Sequence, residues 1–298
     1  TCSKGSCAEA PLQRAGLRSP ALIGLLDNTH VSRSTRSMRS VMLGLVAMLC
    51  LGAPVRSETP VDVELILAVD VSRSMTPREL EIQRRGYAEA LVSDDVVRAI
   101  MQGGPHGRIA LTYVEWAGAY SQRLVIDWTP IGSRAEAEAF AAKLSLNFSD
   151  GLQRTSISGI IEHSIPRFDA NGFAGERRVI DISGDGPNNA GRPVLTARAK
   201  AAARGITING LPLMTREGLG DQWHLDDLDE YYWQCVVTGP AAFVIPVLKW
   251  EDFPDAVRRK LVLELVGRQP PEASVQRVEG YDCLIGEKIW DRYFGDWN

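Results

Sequence analysis

The chain has 298 residues, 45% of them hydrophobic, and a formal net charge of −4. That is enough apolar material for one large α/β domain or two small ones, and the acidic balance excludes generic nucleic-acid binding, which needs a basic face. Seven of the 33 Lys and Arg fall within residues 1–57, against two of the 37 Asp and Glu, so the remainder is more acidic still. Such a surface suits divalent cations and resists membrane surfaces.

Residues 1–36 mix small, basic and turn-forming residues without sustained periodicity. Arg33, Arg36 and Arg39 then flank an uncharged apolar run, Val41–Ala53, and Val55 and Ser57 hold the small-residue positions before a cleavage site. Basic, apolar, small is the order of a secretory signal peptide, and the run is shorter than the roughly 20 residues that span a bilayer. We expect residues 1–37 to be an over-called or disordered leader and 38–57 the signal peptide, starting at Met38. The main domain is expected over 58–267, with a tail, 268–298, packing on it. The mature chain should be periplasmic or secreted, with no stable membrane span. Cys2, Cys7 and Cys50 lie in the segment expected to be lost. Cys235 and Cys283 remain, and two cysteines in an exported chain suggest one disulfide; two buried thiols are the alternative.

Val63–Val69 is almost continuously apolar after Glu64, as suits a strand covered on both faces. It ends in Asp70, with Ser72 and Ser74 at alternate positions. Thr76-Pro77-Arg78-Glu79 is a capping box with proline at the first helical position, so a helix should run from Pro77 to about Leu91. Strands are expected over 108–116 and 122–128, joined by a short link through Gly118 as an antiparallel edge. Helices are expected over 134–144 and 156–168, then a strand over 178–183 ending in the turn-rich run Gly184–Asn189. A helix over 193–204 and a strand over 206–213 follow. Leu225, Leu228, Tyr232 and Cys235 share a helical face, and the nearby Asp226, Asp227, Asp229 and Glu230 suit a helix N-terminus better than a metal site. Ala242–Leu248 reads as the last strand and Phe253–Val266 as the closing helix. Strands alternating with helices give an α/β fold with a mostly parallel sheet, one antiparallel edge strand and helices on both faces. Ligands of such sheets bind at the carboxyl ends of the strands.

Three loops should converge there. The first carries Asp70, Ser72 and Ser74, the second Thr155, and the third Asp185. In this Asp-x-Ser-x-Ser loop, distant threonine and further aspartate, the chain resembles the von Willebrand factor A (vWA) domain family over about residues 61–267. It also looks like a bacterial family of exported, functionally uncharacterised proteins of this fold. The resemblance implies a Rossmann-like vWA fold and a metal-ion-dependent adhesion site (MIDAS) whose ligands are Asp70, Ser72, Ser74, Thr155 and Asp185. Two positions depart from the family: Gly184 stands where threonine is usual, and Arg154 where glycine is frequent. Arg154 is placed to lie over the site and compete with a cation.

The chemistry is coherent without the resemblance. Mg²⁺ takes about six oxygens and keeps several waters. Neutral hydroxyls can bind it directly while two carboxylates balance its charge, and an open position can take a carboxylate from a protein partner. Mg²⁺ is the first choice, with Mn²⁺ or Ca²⁺ as alternatives. Glu115, near a strand end, is a candidate to support the ligands from behind, and Asp181, in mid-strand, needs a buried partner. No nucleophile elbow, P-loop or zinc-protease motif is present. Of His106, His163 and His224, the second lies within an expected helix. The expected function is therefore an exported, metal-dependent protein-interaction module rather than an enzyme. A metal-assisted or Ser/His hydrolase and a purely structural domain are the competing readings.

Overall fold

Strand β1 (Thr59–Asp70) is the axis of the molecule, and every residue from Val61 onward in it is buried. In the computed structural model it pairs in parallel with β2 (Ile109–Trp116) on one side and β4 (Phe173–Gly184) on the other. β3 (Gln122–Ile131) runs antiparallel beside β2, and β5 (Ile206–Pro212) runs parallel beside β4. The order is β3-β2-β1-β4-β5. The chain thus leaves β1 to one side and later returns to its other side. The carboxyl end of β1, at Asp70, is the topological switch point where such sheets open a crevice. The residues described are 57–144, 153–215, 224–267 and 280–294; the leader, the signal peptide and the linker after 267 lie outside them.

Alternation along β1 builds two cores. Val63, Leu65, Leu67 and Val69 face α1 (Pro77–Leu91), α2 (Asp94–Gln102), α3 (Arg134–Leu144) and α7 (Phe253–Val266). Ile66 and Ala68 face α4 (Ile157–Ser164), α5 (Val194–Ala203) and the stretch containing α6 (Leu228–Tyr231). Helix α1 begins as its capping box dictates: Glu79 N donates to Thr76 Oγ1 at 3.3 Å and Thr76 N to Glu79 Oε2 at 2.6 Å. Among the described residues no helix is long and apolar enough to cross a membrane.

Some elements differ from the sequence reading. Helix α2 is additional, capped by Ser93 and led by Asp94 and Asp95; at nine residues it is too short for its periodicity to stand out. The helix expected over 156–168 is α-helical only to Ser164 and continues as a 3₁₀ turn with Pro166 near its start. The face around Tyr232 and Cys235 is a short π-helix rather than a continued α-helix. Ala242–Leu248 is not a strand. It meets β5 and the residue after it through isolated bridges at Val244 and Val247. Pro246 and Pro212 lack the N–H groups that a continuous ladder would need.

One cluster of buried charges is paired within the core. Lys260 of α7 is fully buried, in contact with the carboxylate of Asp181 and 2.6 Å from Glu264 Oε1. Asn209 Nδ2 adds a bond to that same Glu264 oxygen at 3.0 Å. Burial pushes the Asp181 carboxyl up to about 7, with Lys260 opposing the rise and Glu264 adding to it.

Candidate metal site

The first loop leaves β1 in a turn locked by its own aspartate. Ser72 N donates to Asp70 Oδ1 at 2.7 Å, an Asx-type closure. Val71 N donates to Trp116 O at 2.9 Å, and Gln83 of α1 donates to Asp70 O at 3.1 Å. The hydroxyls of Ser72 and Ser74 are 3.0 Å apart, so this loop presents three oxygen-bearing side chains together.

The second and third loops are stitched to each other. Thr155 N donates to Asn189 Oδ1 at 2.9 Å, and Asn189 N returns a bond to Thr155 O at 2.9 Å. Ser156 caps α4 by accepting from Gly159 N at 3.1 Å, and its own hydroxyl donates to Ala190 O at 2.7 Å. Ser158 N donates to Asn188 Oδ1 at 2.9 Å. Asp185 enters from the end of β4, directly after Gly184, where a Cβ would lie 2.9 Å from Asp70 Oδ2. The structure therefore sets the first loop beside the third at Asp70 and Gly184, and joins the second to the third through Thr155 and Asn189.

The electrostatics are those of two carboxylates set close together, Asp70 fully buried and Asp185 partly exposed. Burial, and then the charge of Asp185, raise the Asp70 carboxyl well above its ordinary range. Burial lifts Asp185 to about 6; the Ser74 hydrogen bond opposes this and the Glu79 charge adds to it. Asp70 Oδ2 is buried with no hydrogen-bond partner. A buried carboxylate oxygen left unpaired is costly, and a cation is the species that relieves it. Among the described residues no three His, Cys, Asp or Glu side chains come together, so a cation here would draw on hydroxyls as well as carboxylates. The donor set fits a hard cation such as Mg²⁺. Asp70, Ser72, Ser74, Thr155 and Asp185 would hold it.

Glu115 stands at the same edge of the sheet, paired in register with Arg123 and one residue before the strand end. Its two carboxylate oxygens are taken up by Arg84 of α1 and Arg123 of β3.

The two departures from the vWA pattern have physical reasons. A Cβ at Gly184 would lie 2.8 Å from Tyr232 Oη and 2.9 Å from Asp70 Oδ2. The tyrosine hydroxyl, itself buried without a hydrogen-bond partner, fills the space that a side chain at 184 would need. Gly184→Ala should therefore force Asp70 or Tyr232 aside. We expect a loss of about 1–3 kcal/mol of stability and weaker cation binding, read by denaturant unfolding with and without Mg²⁺. Arg154 has left-handed backbone, φ 69°, a conformation that glycine takes freely and other residues at a cost. Its guanidinium stacks 4.0 Å from the centroid of the Trp290 ring.

Trp290 belongs to α8 (Ile285–Phe294), which also reaches the third loop: Asn188 Nδ2 donates to Glu287 Oε1 at 2.7 Å. Cys235 and Cys283 are joined, with Cα atoms 5.5 Å apart, just ahead of this helix. Sequence reading missed Asn188, Asn189, Tyr232, Glu79, Glu287 and Trp290 as parts of the site. The asparagines announce a turn, but not which loop they bond across to.

Over residues 60–269 the sequence matches the family described as "Protein of unknown function (DUF1194)". The chain belongs to that family. A comparison with curated protein sequences finds no match. Among solved structures, the proximal thread matrix protein 1 of the mussel byssus aligns at TM-score 0.51 and 16% identity, over 70% of this chain and 49% of that one. A second structure of the same mussel protein, with a zinc-occupied MIDAS motif, aligns at TM-score 0.51 and 16% identity, over 70% and 48% of the two chains. A von Willebrand factor type A protein from Catenulispora acidiphila aligns at TM-score 0.46 and 13% identity, over 70% and 43%. This chain thus spans about half the length of the mussel protein. The DUF1194 chain has the vWA-like α/β fold: a mostly parallel five-stranded sheet with one antiparallel edge strand, wrapped by helices.

Proposed function

We propose that this DUF1194 protein is an exported, cation-dependent protein-interaction module. A divalent cation, Mg²⁺ first, is held by Asp70, Ser72, Ser74, Thr155 and Asp185, and an acidic side chain of a partner completes its coordination. The observation that carries this reading is Asp70 Oδ2, buried and unpartnered beside a second raised carboxylate. The zinc-occupied MIDAS motif of the mussel protein supports it by analogy of fold.

Two further features favour binding over hydrolysis. His163 is at the end of α4, about 10 Å along the helix from its start at the site, and His106 pairs with Glu176 at the opposite, amino-terminal edge of the sheet. Neither is placed as a base for a cation-bound water. Beside the second loop, Tyr120 stands at the tip of the β2–β3 turn, 99% exposed. Exposed aromatics of this kind are favoured contact residues in interfaces.

The test is binding of the Mn²⁺-loaded protein to an array of immobilised peptides that differ only in Asp against Asn. Cation-dependent capture by the Asp peptides, abolished by EDTA and by Asp70→Asn, is expected. Equal capture by both peptide sets, or capture insensitive to EDTA, would overturn the partner-carboxylate reading.

A further inference from the structure

Helix α8 lies beyond the segment that matches the family, residues 60–269, yet it touches two of the three site loops. On the second, Trp290 carries the guanidinium of Arg154, the residue before Thr155. On the third, Glu287 takes the Asn188 side-chain amide, whose carbonyl oxygen holds Ser158 N at the head of α4. The approach is close: a Cβ at Gly286 would fall 2.1 Å from Asn188 O. Arg154 keeps a left-handed backbone at a position where glycine would be unstrained, and such an outlier is sustained by what surrounds it. The helix is fastened at its start by the Cys235–Cys283 bond and by Tyr281 Oη donating to Asp227 Oδ2 at 3.0 Å.

We propose that α8 is a latch on the cation site whose hold depends on the Cys235–Cys283 disulfide, so that cation affinity is coupled to the redox state of that pair. This rests on the cation-site reading above. The disulfide closes a separation of 48 residues and confines α8 to the site rim; without it the helix start keeps the Tyr281–Asp227 bond and its covalent link to α7 through the chain 268–284. Cys235 is buried and Cys283 is partly exposed, which directs a reductant to Cys283. The thiolate of an external dithiol attacks the Cys283 sulfur, and Cys235 leaves as a thiolate and takes up a proton. The second thiol of the reductant then displaces Cys283. The protein gains two electrons and two protons, and the dithiol becomes a disulfide. Glu287 and Trp290 then withdraw from Asn188 and Arg154, and the second and third loops lose a common support.

The test is amide hydrogen exchange on the full chain, metal-free, with Mn²⁺ titration of the same samples. It compares the oxidised protein, the Cys235→Ser/Cys283→Ser variant, and Gly286→Val, which drives the helix off Asn188 with the disulfide intact. Amides at 155–159 and 188–190 should exchange about tenfold faster in both variants, those of β1 and β2 should be unchanged, and Mn²⁺ should bind about tenfold more weakly, within the usual range of coupling between sites. Unchanged loop exchange in both variants would overturn the latch. Faster exchange in Gly286→Val alone would overturn its dependence on the disulfide. If the serine variant fails to fold, Gly286→Val decides the latch and dithiothreitol treatment of the native chain decides the coupling. If the oxidised protein binds no Mn²⁺, the cation reading fails, while the exchange data still decide whether α8 holds the loops.

Discussion

Lys260→Met should destabilise the protein by about 3–5 kcal/mol, the usual cost of removing one partner from a buried ion pair. Methionine nearly matches the lysine in length, so little cavity is made. What is left is electrostatic: Asp181 and Glu264 face each other in the core with no cation between them. In a domain of this size the midpoint of thermal unfolding should fall by roughly 6–20 °C. The effect has a pH signature. Asp181 is already raised to about 7 with Lys260 present, and losing the lysine raises it further. A carboxyl with a raised folded pKa loses stability as pH climbs from its unfolded value to its folded one. The variant's deficit should therefore shrink at pH 5, where the pair can take up a proton, and grow toward pH 8. Adding Asp181→Asn should recover part of it. Urea unfolding at the two pH values measures this; a deficit under about 1 kcal/mol at pH 8 would show that the pair is not a unit.

Asp70→Asn should do the reverse, and stabilise the metal-free protein at pH 7.5 by about 1 kcal/mol or more, the scale of a buried polar group left unsatisfied. Asparagine keeps an acceptor for Ser72 N and removes a buried charge that faces Asp185. Asp70 and Asp185 are both raised above the ordinary carboxylate value of 3.8, the second to about 6. The unfolded chain therefore holds fewer protons than the folded one above pH 4. Native stability without metal should decline from pH 4 through pH 6 as Asp185 ionises, and the raised Asp70 adds to the loss in the same direction. The variant's profile should be flatter. A site that is destabilising when empty is what a binding site looks like when its charges await a ligand. Urea unfolding in chelator across pH 4–8 checks it; a variant less stable than native at pH 7.5 would mean that the Asp70 carboxylate is part of the scaffold.

Much of this was legible in the sequence because it is local. The Thr76 capping box, the apolar run of β1 and the Ala-rich helix over 134–144 are each decided within a few residues, and Asp70, Ser72 and Ser74 are spaced along one loop. What escaped was decided by distant packing. Pro246 and Pro212 face each other across a would-be ladder, so the last expected strand breaks into bridges. Gly184 reads as a gap in the site until Tyr232, 48 residues on, is found beside it. Arg154 reads only as a competitor for the cation; its stacking on Trp290, 136 residues away, is invisible in the sequence. Asn188 and Asn189 look like turn residues, yet their side chains tie two site loops together.

A divalent cation bound by Asp70, Ser72, Ser74, Thr155 and Asp185 should be seen in thermal unfolding of the chelator-stripped native protein and Asp70→Asn at pH 7.5, across a titration of Mg²⁺ and of Mn²⁺. The native midpoint should climb with the logarithm of cation concentration, reaching about 2.7 kcal/mol of added stability at one hundred times Kd, while the variant stays where it began. A native midpoint that does not move, or a variant that climbs in parallel with it, would mean that Asp70 holds no cation.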